Sequence, residues 1–374
     1  MNTGYGATTA LYVDQLRAAG LHPVMVTHKW QQPDLIAPHS DLDLRLVLNA
    51  TPASWEDFNT RVAAAHTAAV AADPAHGRWL EHPPGFAFTT AELDAGLIQP
   101  AEVATWSPVH GSQQILGQWA KAADAEPWTA ADARFYQALL DARVAGRYRL
   151  AADATDNVHR DLIGYLRHCV AWHYVAPCWF AAACLATRSR LPGKLDALTR
   201  WRPGATGHHA ELFSSHAGPV GSRPALEPRL LLRHAHAAVD AALHYTPDSR
   251  CEPGEGQPGP GLRREWAMAA GMLRVKPARW RYYLDPPPGI STGYLIAREA
   301  KELTAAQAAL ERLAGHGTAE ERSMATRVAA VLPPPGTPTS AGLLRDLLRS
   351  WSRAGAALGD FLTGPTQTME GARL

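Results

Sequence analysis

The sequence predicts an α+β protein, with a mixed sheet and helices in its N-terminal third and an all-α C-terminal half. Three observations lead there. Short β candidates, among them the alternating run DLDLRLVL, fall within the first 120 residues, between helical segments. From about residue 128 the apolar residues recur at helical spacing with no alternation. Stretches rich in Pro and Gly then punctuate the helices.

Taken in order, residues 7–20 read as an amphipathic helix and 23–30, PVMVTHKW, as a strand. A polar connection with Pro33 and Pro38 leads to DLDLRLVL, residues 41–48, a second strand. Residues 54–73 form a helix, with Ser54 as N-cap and acidic residues in its first turn. Two β candidates follow, 77–82 and 85–90, split by Pro83-Pro84, and weaker strand character returns at 98–106. Beyond 128 the long apolar segments are helical, and Pro177 is expected to kink one of them. These features divide the chain into an α/β domain at 1–122, a helical domain at 123–245, and an additional helical region at 262–374. The Pro/Gly-rich stretch 246–261 links the last two, and LPPPGTPTSAG precedes a terminal amphipathic helix.

Composition narrows the function classes. The 374 residues include 46% hydrophobic residues and 12 Trp, ample for a packed core, while the net charge of +1 removes a global electrostatic case for nucleic acid or membrane. No apolar run reaches the roughly 20 residues of a membrane span, so no membrane partner is expected. The four cysteines, Cys169, Cys178, Cys184 and Cys251, form no CxxC pair and read as buried thiols of a cytoplasmic protein. His208-His209 are adjacent, and His234 and His236 are two apart, so neither pair shares a helix face for zinc.

The chemistry concentrates in APHSDLDLRLVL. On a strand, Asp41 and Asp43 share one face, and Leu42, Leu44, Leu46 and Leu48 share the other. Paired carboxylates tolerate each other best beside a cation. A helix, a strand, a polar loop and Asp-x-Asp on a second strand resemble the nucleotidyltransferase fold. Pro38-His39-Ser40-Asp41-Leu42-Asp43-Leu44 is similar to the signature of the aminoglycoside adenylyltransferases of the streptomycin/spectinomycin type. The likeness spans roughly residues 10–215. It implies transfer of a nucleoside monophosphate from ATP or another NTP to a small acceptor, in antibiotic modification or biosynthesis. It also implies Mg2+ on Asp41, Asp43 and Glu81, with Glu81 as the base that deprotonates the acceptor hydroxyl. Residues 178–201 resemble the family's helical motif, in which a lysine sits near the triphosphate; Lys194 maps onto it, with Gly193 intruding after Pro192. Such a lysine offers phosphate a compact positive charge.

The chain also departs from that pattern. Where the family ends its first strand in Gly-Ser, this sequence reads Thr27-His28-Lys29-Trp30. A Thr27 hydroxyl and positive charge from His28 or Lys29 then stand in for the bare backbone that glycine offers phosphate. The acceptor side carries Trp172 and His173 and no carboxylate, which does not match a polycationic acceptor. Two alternatives follow. The fold is similar to that of enzymes that add the CCA end to tRNA. A member without Gly-Ser could therefore use aminoacyl-tRNA to acylate a small amine or hydroxylamine in natural-product assembly. The tRNA would be met by residues 274–283, RVKPARWRYY, whose basic and aromatic residues alternate. The other alternative is a non-catalytic protein that binds a nucleotide or a partner.

Overall fold

A computed structural model describes residues 3–30, 34–35, 40–75, 77–144, 167–202, 260–284, 306–332 and 353. The His208-His209 and His234/His236 pairs, residues 246–259 of the expected linker, and most of the terminal helix lie outside them. The protein is built on a four-stranded mixed sheet in the order β3-β2-β1-β4, where β1 is Met25–Lys29, β2 Leu44–Leu48, β3 Phe86–Thr89 and β4 Trp106–His110. β1 lies antiparallel to β2 and to β4, and β3 runs parallel to β2, as expected of strands joined across a helix.

The two faces of the sheet bury different helices. Leu42, Leu44, Leu46 and Leu48 all enter one core, as their two-residue period requires, together with Val26 and Ala87. Helices α1 (Thr3–Ala18) and α2 (Trp55–Ala72) cover that face. Ser54 caps α2 by accepting from the Asp57 N–H, the role its place in the sequence indicated. Met25, Val47 and Phe88 face the other core. It is covered by α3 (Thr90–Asp94), α4 (Pro100–Val103) and α5 (Gln113–Ala125).

The rest of the described chain is helical: α6 (Ala130–Val144), α7 (Arg167–Thr187), α8 (Lys194–Arg200), α9 (Pro260–Leu273), α10 (Lys276–Leu284), α11 (residues 306–316) and α12 (Ala319–Val331). α7 continues through Pro177. Cys178 and Cys184 on it are buried. Arg190, just after α7, clamps α6 with a bidentate ion pair to buried Asp132, at 2.7 and 2.8 Å.

α9 and α10 do not stand apart from the sheet. Ala267 of α9 joins the Phe88 core, and Val275 and Ala278 join the Leu44 core. Gly271 is what lets α9 settle on β3, because a Cβ there would run into the Phe88 ring. Buried Asn59 of α2 then pins the α9–α10 junction, its amide nitrogen donating to the Arg274 carbonyl and its oxygen accepting from the Ala278 N–H.

Two expected strands are corrected. Residues 77–82 contain a 3-10 turn, Gly77–Leu80, so Glu81 does not sit on a strand. A short apolar run cannot distinguish the two by periodicity, and Leu42 donates to the Trp79 carbonyl without extending a ladder. The strand expected at 98–106 gives way to α4, started by Pro100 at its first turn, and β4 follows it.

Candidate functional site

Asp41 and Asp43 lie in the extended segment that leads into β2, each part-exposed and alternating with buried Leu42 and Leu44. The β2 ladder itself begins at Leu44. One main-chain bond ties Asp43 to β1, where the Lys29 N–H donates to its carbonyl at 3.0 Å. The Asp43 carboxylate is 3.6 Å from Nε2 of His82. That ring is buried, lies 2.7 Å from the Pro83 carbonyl through Nδ1, and has Arg279 Nη2 3.1 Å from its nitrogens.

The structure thus brings His82 to Asp43. Glu81 acts on Tyr282, whose phenol is pushed up first by burial and then by the Glu81 charge. Among the described residues no group of three His, Cys, Asp or Glu side chains is placed to hold a metal ion.

The residues expected to meet phosphate separate into two pairs. Thr27 and His28 are sealed inside, Thr27 on the Met25 side of β1 and His28 on the Val26 side. Burial, with the Arg45 charge adding to it, lowers the His28 pKa against the opposing effects of Asp43 and a backbone hydrogen bond. Burial thus works against the positive charge expected of the ring. Lys29 and Lys194 instead converge from separate elements on the Trp30 indole, their ammonium groups 5.1 and 4.6 Å from its centre.

Trp30 is itself strained. Its φ of 75° places a bulky residue in the region glycine favours, at a cost of about 1–3 kcal/mol. Its N–H donates to the Thr105 carbonyl at 2.8 Å and its ring stands edge-on to Phe180, 5.0 Å away, which together hold that conformation.

Two groups that no motif marked complete the surroundings. Buried Glu102 on α4 accepts from Arg45 Nε at 2.8 Å and Trp106 Nε1 at 3.2 Å, with Lys29 Nζ at 3.6 Å. Burial raises the carboxyl, but the two cations and these hydrogen bonds outweigh it and hold it below its usual range. Arg45 could have been noticed as a charge set among the strand's leucines; Glu102 carries no such signal.

Gly193, the apparent intrusion, also has a reason. The Asp34 carboxylate occupies the space its Cβ would fill and accepts from the Lys194 and Leu195 N–H groups at 2.7 and 2.9 Å. Three of the basic residues of the stretch 274–283 turn inward as well. Arg274, Lys276 and Arg279 are each no more than 2% exposed, and Arg274 is ion-paired to Glu92 at 2.8 Å. These three do not present a basic surface to tRNA.

Comparison with protein-family models, with curated proteins and with solved structures yields no match to this chain. No helix among the described residues is long and apolar enough to cross a membrane.

Proposed function

We propose that the protein is a transferase that moves a nucleoside monophosphate from ATP or another NTP to a small-molecule acceptor. The observation that carries this reading is the placement of the Asp41/Asp43 pair. Both carboxylates flank buried leucines at the entry to β2, and Asp43 is hydrogen-bonded through its main chain to Lys29. Lys29 and Lys194, 5.1 and 4.6 Å from the Trp30 ring centre, then supply positive charge for phosphates.

The donor set suits Mg2+, which is commonly held by one or two carboxylates together with water and substrate phosphate oxygens. Asp41 and Asp43 are the residues that would hold it, and the ion neutralises charge on the phosphates when bound. His82 acts as a positioning residue for the Asp43 carboxylate. Lys29, itself balanced by Glu102, and Lys194, balanced by Asp34, orient the phosphates without leaving uncompensated buried charge when the site is empty of ligand. Glu81, one residue before His82, takes the proton of the acceptor hydroxyl as its oxygen bonds to the α-phosphorus, the α–β phosphoanhydride bond breaks and pyrophosphate leaves.

Isothermal titration tests the reading. ATP with Mg2+ is expected to bind, Asp41→Asn or Asp43→Asn to weaken binding at least about tenfold with little change in melting temperature, and Glu81→Gln to spare binding while stopping turnover. Absence of binding at millimolar ATP and Mg2+ removes the assignment. A parallel titration with aminoacyl-tRNA that binds where ATP does not makes the donor an aminoacyl ester instead.

A further inference from the structure

Away from the acid pair, a cavity of about 210 Å³ lies between α6, α9 and α11. Phe86, Phe135, Met268 and Met272 make its walls, with Ala309 of α11 opposite. An apolar cavity near 150 Å³ stays dry and admits a benzene-sized guest, so this one has room for a ring and a short chain. Methionine walls adapt to such a body.

One side is charged. Arg134 donates from Nε to one Glu265 oxygen at 2.6 Å, and Arg312 from Nε to the other at 2.7 Å. The two arginine side chains are 35% and 41% exposed, whereas Glu265 is 13% exposed, so the cations face solvent at the mouth. Both use only Nε, and their terminal guanidinium nitrogens make no hydrogen bond among the described residues. Two arginines against one glutamate leave the mouth with a surplus positive charge and free donors in a fork suited to carboxylate.

We propose that this cavity binds a small carboxylic acid with a single-ring apolar body. The ring lies among Phe86, Phe135 and the two methionines, and the carboxylate rests on Arg134 and Arg312. The assignment uses neither Asp41 nor Asp43 and stands apart from the transferase reading.

Three compounds with one body test it by isothermal titration on the full chain: 3-phenylpropionate, 3-phenylpropan-1-ol and 3-phenylpropylamine. The carboxylate is expected to bind at least about tenfold more tightly than the alcohol, the gain of a charge-assisted hydrogen bond, and the amine not to bind. Arg312→Gln changes an exposed side chain. It is expected to remove the advantage of the carboxylate and leave the alcohol's affinity unchanged. Ala309→Phe fills the cavity and is expected to abolish binding of both. Equal affinity for all three compounds, no binding at millimolar concentration, or carboxylate affinity untouched by Arg312→Gln overturns the proposal.

Discussion

His66 is enclosed between Tyr12 and Tyr282, edge-on to both rings, and its Nε2 meets the Leu80 carbonyl at 2.9 Å. Its Nδ1 is buried without a hydrogen-bond partner among the described residues. Burial chiefly, then the His82 and Arg279 charges, lowers its pKa to about 3. Between the ordinary histidine value of about 6.5 and this one, the unfolded chain holds a proton that the folded chain does not. Stability is therefore expected to fall as pH drops through that window, by up to about 1.4 kcal/mol per unit from this group. His28, also lowered by burial, acts in the same direction. Urea unfolding between pH 4 and 7 checks this: His66→Leu should flatten the dependence by about one proton, and an unchanged slope would discard the account. At this scale the alternation of part-exposed Asp41 and Asp43 with buried leucines was legible, because a strand has a period of two residues. The Arg45–Glu102 pair and the place of His82 were not, because a buried ion pair or a histidine contact is made between segments that share no local pattern.

At the scale of elements, α8 is held from outside itself. Gly193 precedes it with no side chain to cap the helix, and Asp34, 160 residues earlier in the chain, accepts from its first N–H groups. Gly193→Ala places a methyl group where that carboxylate sits. It is expected to cost about 1–3 kcal/mol as an overpacked contact, read as a lower urea midpoint. Asp34→Ala is expected to lose a similar amount, and the double variant less than the sum because the sites touch. Full additivity would show that the carboxylate and the glycine are not coupled. Helix α2 announced itself through Ser54 and its acidic first turn, signals contained in the segment. The turn at Gly77–Leu80 and helix α4 did not, since four-residue elements have too few positions for a period to register. Pro100 was the available clue for α4, as a residue suited to a first helical turn.

At the scale of the molecule, the junction of α9 and α10 completes both cores of the N-terminal sheet. Asn59 reaches across 215 and 219 residues to hold it, and Arg274 crosses 182 to reach Glu92. A chain cut after residue 245 loses Ala267 from one core and Val275 and Ala278 from the other, and leaves Asn59 and Glu92 buried without these partners. It is expected to bind 8-anilinonaphthalene sulfonate and to lose near-ultraviolet circular dichroism and a sharp thermal transition. Cooperative unfolding of this fragment with native near-ultraviolet dichroism would show that the first 245 residues fold alone.

The order of strands and helices through residue 73, the alternation of buried leucines with part-exposed Asp41 and Asp43, and the helical character of the described residues beyond 128 were properties of the sequence itself. They depend on the periods of 2 and 3.6 and on capping residues, which act within a few positions. Tertiary structure alone decided that Arg274, Lys276 and Arg279 turn inward, that His82 meets Asp43, that Asp34 fills the space at Gly193, and that Lys29 and Lys194 share one indole. Each of these joins residues from separate elements. Burying a charge or straining Trp30 becomes tolerable only when a partner arrives from elsewhere in the chain, and no local pattern records which partner that will be.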